Sequence, residues 1–161
     1  MKHAPLPRRS DAEQARLDTY LKDYVRNVAF NRLLGLEAES VSFPIPRIRL
    51  DMRPDLIGTH EYRRLHGGAI ATALDDVGGL ALMIAMAEKH ADETVEQMQH
   101  RYVRMGTIDL RIDYLRPGQG THFFASAEVT RLGGRIGTTQ MRLVNDQDTL
   151  IAIGVANYIV S

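Results

Sequence analysis

The sequence predicts an α+β fold: an antiparallel sheet of five to six strands wrapped around one long central helix, with a helical extension at the N-terminus. Three observations carry this. Residues 67–88 hold a long helical pattern that is apolar apart from Thr72, Asp75, Asp76 and the terminal Glu88, and such a helix needs a sheet around it to be buried. The C-terminal third then changes from a helical period to strict alternation, the mark of half-buried strands. The strands there are joined only by RPGQG, RLGGRIG and NDQD, and connections that short make antiparallel neighbours.

Taken in order, residues 1–9 contain two prolines and three basic residues and read as a mobile tail. Ser10 with Glu13 fits a capping box, and Leu17, Leu21, Val25 and Val28 follow at helical spacing, so 11–34 reads as one helix stopped by Gly35. Two short strands, about 36–43 and 46–52, are split by a turn at Pro44 and Pro46. A loop, RPDLIGTHEYRR, leads to His66 and the apolar helix. Residues 92–104 read as a second, polar helix with Glu96, His100 and Arg104 on one stripe. In TIDLRIDYL (107–115), Ile108, Leu110, Ile112 and Tyr114 share one face; Thr107, Asp109, Arg111 and Asp113 share the other. HFFASAEVT (122–130) keeps Phe123, Ala125, Ala127 and Val129 in register, TTQMRLV (138–144) follows, and TLIAIGVANYIV (149–160) is apolar on both faces, as a central strand would be. Residues 1–34 form a tail and helix, and 35–161 form the sheet-and-helix domain, with no repeat, low-complexity tract or linker.

Composition narrows the function. Lys plus Arg and Asp plus Glu are 20 each, so no bulk attraction to nucleic acid or a membrane surface is expected. The chain has no cysteine, which excludes disulfides, a thiolate nucleophile and thiolate metal sites, and fits a cytoplasmic protein. No signal peptide is expected from MKHAPLPRRSDAEQARLDTY. The longest apolar run, LALMIAMA at 80–87, is far below the roughly 20 residues of a bilayer span.

The chemistry concentrates in LHGGAIATALDDVGG, residues 65–79. Gly67 and Gly68 open a helix, so their N–H groups lack intrahelical acceptors and, with the helix dipole, suit a developing negative charge. Asp75 and Asp76 sit among Ala, Leu and Val, where desolvation raises a carboxyl pKa and makes it a candidate base or nucleophile. His-Gly-Gly as a mere turn and a buried Asp as a mere cap are the plainer readings. Gly67 and Asp75, eight residues apart, lie about 12 Å apart along one helix, yet an oxyanion donor and a base must both come within about 3 Å of the reacting group. If both act, Gly67 of one subunit meets Asp75 of another, which requires a two-fold dimer with sites at its interface.

LHGGAIATALDD, followed by TIDLRIDYLRPG, RLGGR and LIAIGVANY, resembles the His-Gly-Gly motif and flanking segments of the hotdog-fold acyl-CoA thioesterases of the phenylacetate-degradation (PaaI-like) group, over about residues 30–160. The resemblance implies hydrolysis of an acyl-CoA to a free acid and coenzyme A. In it, Gly67 polarises the thioester carbonyl through its N–H, and His66 shapes the turn. Asp75 is nucleophile or base, Asp76 supports it, and Thr107 stands by the attacking water. Gly68, Tyr114, Arg116, Pro117 and Gly118, and Arg131, Gly133, Gly134 and Arg135, line the substrate and coenzyme A path, with arginines suited to phosphate. The resemblance implies no metal or prosthetic group, coenzyme A entering only as part of the substrate, and a homodimer that pairs into a dimer of dimers. Many relatives carry an Asn in the loop before His-Gly-Gly where this chain has Thr59 and His60.

Other candidates have plainer readings. His90 and His100 are surface residues rather than metal ligands. GGRIG joins two strands and is no dinucleotide fingerprint. No Gly-x-Ser-x-Gly is present, which excludes a nucleophile elbow. Two other functions stay open on the same fold: a non-catalytic acyl-CoA-binding protein, and a hydratase or dehydratase, for which His66 and Asp75 are poorly spaced.

Overall fold

The computed structural model describes residues 8–161, apart from the side chains of Thr59 and His60. Residues 1–7 of the expected tail therefore lie outside the described residues, as do the side chains of the Thr59–His60 departure. Arg8 and Arg9 do not belong to a loose tail. The Arg9 guanidinium donates to the carbonyls of Ala87, His90 and Glu93 at 2.7–2.8 Å, a cation placed where helix carbonyls run out of partners.

Helix α1 spans Asp11–Asn27, with the Ser10 hydroxyl accepting the Glu13 N–H. The expected capping box is half made, because the Glu13 carboxylate accepts the Val95 N–H at 2.9 Å instead. Leu17, Leu21 and Val25 are buried. The single helix expected over 11–34 is two. Val28 leaves helical geometry at ψ 124°, and α2 runs Ala29–Leu34. The buried Asn31 amide donates to the Val25 carbonyl at 3.0 Å, so a side chain satisfies a backbone group released by the break. Gly35, at φ +75°, closes α2 with its N–H on the Asn31 carbonyl, a left-handed stop that glycine adopts without strain.

The sheet has six strands: β1 Leu36–Ser40, β2 Arg47–Asp51, β5 Gly106–Tyr114, β6 His122–Leu132, β7 Ile136–Asn145 and β8 Leu150–Ile159. Their order is β1-β2-β6-β7-β8-β5, every pair antiparallel. β1 stops three residues short of its expected end, where the Ser40 hydroxyl takes the Ser42 N–H and turns the chain. The stretch expected to be loop before His66 contains a two-stranded unit, β3 Ile57–Thr59 with β4 Arg64–Leu65. It fixes the start of the next helix, since Leu65 N–H donates to Gly118 O and His66 N–H to Leu56 O.

That helix, α3 (Gly67–Lys89), is the filling of the sheet, with Leu74, Val77 and Leu82 fully buried. By length and composition it could cross a membrane, but 67% of its most apolar window is buried within the fold. α4 is Val95–Tyr102, shorter than the expected 92–104 and capped at Thr94. β8 lies inside the sheet as expected, but only one of its apolar faces is covered. Ile153 and Val155 on the other are about 40% exposed.

β5 carries the correction that matters most for function. Thr107 pairs with Tyr158 but Asp109 with Asn157, so Ile108 is bulged out of register and 55% exposed. A bulge flips every side chain beyond it. Thr107 therefore does not share a face with Asp109 as simple alternation implied; it lies on the α3 side with Leu110, Ile112 and Tyr114.

Candidate active site

Two groups of predicted residues converge at two places on α3. At its N-terminus, His66 is the cap, and its Nδ1 accepts the Gly68 N–H at 2.9 Å. That leaves the ring's hydrogen, when neutral, on Nε2. Gly68 thus spends its N–H on His66. Among the described residues nothing accepts the Gly67 N–H, which points out of the positive end of a 23-residue helix. The Tyr114 hydroxyl donates to the Gly67 carbonyl at 3.0 Å and holds this turn against the end of β5. Gly118 packs on Leu65 so closely that a Cβ there would lie 2.9 Å from the Leu65 Cβ. Beside Pro117, Arg116 donates to the Leu150 carbonyl at 3.0 Å. His66, Gly67, Gly68, Tyr114, Arg116, Pro117 and Gly118 are therefore one neighbourhood.

Two turns along α3, the Thr107 hydroxyl donates to Asp75 Oδ1 at 2.9 Å. The bulge at Ile108 makes this contact possible. The Tyr158 hydroxyl donates to the Asp75 backbone carbonyl at 2.9 Å, and burial, then the Asp75 charge, pushes the Tyr158 pKa upward. Tyr158 reaches the helix because Gly78 has no side chain: a Cβ at 78 would lie 2.3 Å from the tyrosine oxygen. Asp76 turns toward α1. Its Oδ2 is shielded from solvent without a hydrogen-bond partner, and burial pushes its pKa up to about 6. The nearby Asn31 amide opposes that rise and the Asp75 charge adds to it. Asp75, Asp76 and Thr107 line a pocket of about 120 Å³ between α1, α3 and α4, together with Tyr24, Val25, Leu80, Met83 and Tyr102.

The remaining predicted residues sit apart from the first neighbourhood. Gly106 and Ile136 both pair with Ile159, so the β6–β7 hairpin carrying Arg131, Gly133, Gly134 and Arg135 is at the Thr107 end of the sheet. Tyr114 is at the opposite end, paired with Ala152. Seven residues of strand separate Thr107 from Tyr114, about 23 Å. The chain thus carries the hydrogen-bonded Thr107–Asp75 pair at one end of β5 and a free helix N–H near the other. β5 is an edge strand; among the described residues it pairs only with β8.

Tyr158, Asn31 and Tyr24 did not stand out in the sequence. Tyr158 reads there as one more strand residue, and its role depends on a contact with α3 across 83 residues. The glycine pair at 78–79, odd inside a helix, was the available signal.

A family model described as thioesterase superfamily matches residues 62–152. The medium/long-chain acyl-CoA thioesterase YigI of Salmonella typhimurium is 37% identical over 149 residues, 92% of this chain and 96% of that protein. YigI of Escherichia coli K12 is 36% identical over the same shares. A crystal structure of a Shewanella oneidensis protein related to the thioesterase superfamily superposes with a TM-score of 0.89 at 38% identity, covering 94% of this chain and all of that one.

Proposed function

The chain belongs to the thioesterase superfamily and is a thioester hydrolase; from that premise we propose that its substrate is an acyl-CoA, cleaved by Asp75 against the Gly67 N–H of a second copy. The observation that carries the reading is the Thr107–Asp75 hydrogen bond in the wall of a pocket, with the free Gly67 N–H two turns away, about 12 Å along the same helix. A two-fold axis through the middle of β5 lays that edge antiparallel to its copy. The Thr107 end of one strand then lies beside the Tyr114 end of the other, and Asp75 faces the second copy's helix N-terminus. An exposed edge strand also gains a partner.

In the mechanism, Thr107 fixes Asp75 Oδ1, and Asp75 takes a proton from a water as its oxygen attacks the thioester carbonyl carbon. The charge that develops on the carbonyl oxygen meets the Gly67 N–H and the helix dipole. His66 keeps that turn in place by occupying the Gly68 N–H, and Tyr114 does so through the Gly67 carbonyl. Collapse breaks the carbon–sulfur bond, and the leaving thiolate takes the proton held by Asp75. The products are a carboxylic acid and coenzyme A; no metal or prosthetic group takes part. The acyl chain, medium to long by the names of the relatives, enters the pocket between α1, α3 and α4. The Arg131–Arg135 hairpin of one copy and Arg116–Gly118 of the other flank the coenzyme A phosphates. The half-exposed Ile153 and Val155 suit pairing of dimers through their outer sheet faces, and the cytoplasm is the expected compartment.

Free-thiol release from short, medium, long and aromatic acyl-CoAs tests this beside Asp75→Asn. Turnover in the wild type, reduced at least roughly a hundredfold in the variant, is the expected result. Equal rates refute the role of Asp75. Tight acyl-CoA binding without turnover, indifferent to the substitution, moves the reading to a binding protein.

A further inference from the structure

Two adjacent glycines, Gly78 and Gly79, interrupt the middle of α3. Short of proline, glycine is the worst helix-interior residue, because it loses the most backbone freedom on folding. Packing accounts for Gly78, where a Cβ would press on Tyr158, on Met141 Sδ at 2.7 Å and on Thr139 Oγ1 at 2.9 Å. It does not account for Gly79. Among the described residues, beyond the neighbouring helix backbone, the only atom within 4 Å of a Cβ there is Tyr158 Cε1, at 3.9 Å, an ordinary contact, and the helical backbone does not ask for glycine.

What lies in front of Gly79 is the pocket. Asp75, Gly79 and Met83 follow at spacings of four, so they form one ridge of the helix, and all three line the cavity. Side chains on a helix lean toward its N-terminus. A side chain at 79 would therefore lie over the turn that carries Asp75, across the path by which an acyl chain leaves a carbonyl placed there. The facing wall is fixed. Val25 of α1 and Tyr102 of α4 are at most 3% exposed. Tyr102 stacks on Tyr20 of α1 with ring centres 6.2 Å apart, and its hydroxyl donates to the Met83 carbonyl at 2.9 Å. The room that can be gained or lost is at position 79.

We infer that Gly79 is a specificity-determining residue: its missing side chain, facing a wall supplied by the N-terminal helix α1, sets the length and bulk of the acyl chain the site admits. The occupant is the acyl chain because Asp75 and Thr107 line the same pocket as the apolar side chains of Val25, Leu80 and Met83. This rests on the acyl-CoA reading above.

Two variants test it, Gly79→Ala and Gly79→Leu. Each is assayed for kcat/KM on butanoyl-, octanoyl- and dodecanoyl-CoA, and for affinity toward the matching non-hydrolysable S-alkyl thioethers of coenzyme A. Gly79→Ala fits the space and favours the helix, so its Tm should equal or exceed that of the wild type. The ratio of short-chain to long-chain kcat/KM should rise in both variants, by roughly tenfold or more for Leu, as expected when a pocket loses room for a methylene or two. The gain in thioether affinity with chain length, present in the wild type, should shrink in parallel. Rates that fall by one factor for every chain length, or a chain-length profile unchanged in folded Gly79→Ala, overturn the inference. Should the wild type hydrolyse none of these esters, the thioether series decides alone. A chain-length gain that Gly79→Leu removes upholds the inference while the hydrolytic reading fails, and no such gain overturns it.

Discussion

Replacing Asp76 by Asn should stabilise the protein at neutral pH, with a pH dependence that identifies the cause. Asp76 carries a shielded oxygen without a partner, and its pKa is raised from 3.8 to about 6, chiefly by burial. A carboxyl with a raised folded-state pKa costs nothing well below its ordinary value of 3.8, where it is protonated in both states. As pH rises from 4 to 6 the unfolded chain releases its proton first, so stability falls. Above pH 6 the whole penalty is present. Two pKa units correspond to about 3 kcal/mol, an upper bound because the group is only partly buried, so a difference of about 1–3 kcal/mol is expected. Urea denaturation of both proteins at one protomer concentration, from pH 4 to 8, measures it. The difference should be smallest at pH 4, a minor fraction of its full value, and reach its plateau by about pH 6.5, with Asp76→Asn the more stable. A variant less stable than the wild type at pH 7.5, or a difference that does not change with pH, would refute the reasoning.

Two further substitutions probe the supports of Asp75. Thr107→Val removes a hydroxyl bonded to a carboxylate, an interaction of about 1.5–3 kcal/mol. Expressed in the rate, that is a loss of kcat of roughly ten- to a hundredfold with little change in KM; a fall in kcat/KM through KM alone would place Thr107 in binding instead. Gly78→Ala forces a methyl group onto Tyr158 and Met141, and overpacking of about 1–3 kcal/mol should outweigh the helix-propensity gain of about 1 kcal/mol. A lowered Tm is therefore expected where Gly79→Ala raises it, and equal shifts at the two positions would contradict the packing described here.

How far the sequence reveals this protein depends on whether the deciding contact is local. The apolar run of α3 and the alternation of β6–β8 reflect burial along one element, and they emerge from periodicity. So does the separation of Gly67 from Asp75, which follows from helix rise and points to a second subunit before any coordinates. The break at Val28 does not emerge, because Asn31 decides it by satisfying a carbonyl six residues earlier. Nor does the face of Thr107: strict alternation places it with Asp109, and only the pairing of β5 with β8 reveals the bulge that turns it to Asp75. Tyr158 stays hidden for the same reason, since its contact is made by a glycine on another element.

The central claim, a site shared between two copies, is tested most directly by mixing two damaged chains. Gly67→Pro deletes the proposed oxyanion donor at a position where proline is tolerated, the first residue of a helix. His66, at φ −62° and ψ 137°, already has the geometry a residue before proline prefers. Asp75→Asn deletes the base. Each homodimer should be inactive. After subunit exchange at equal amounts, half the dimers are mixed and each has one intact site of two, so about a quarter of wild-type activity should return. No recovery in a mixture shown to contain the heterodimer, or full activity of Gly67→Pro alone, would contradict the account.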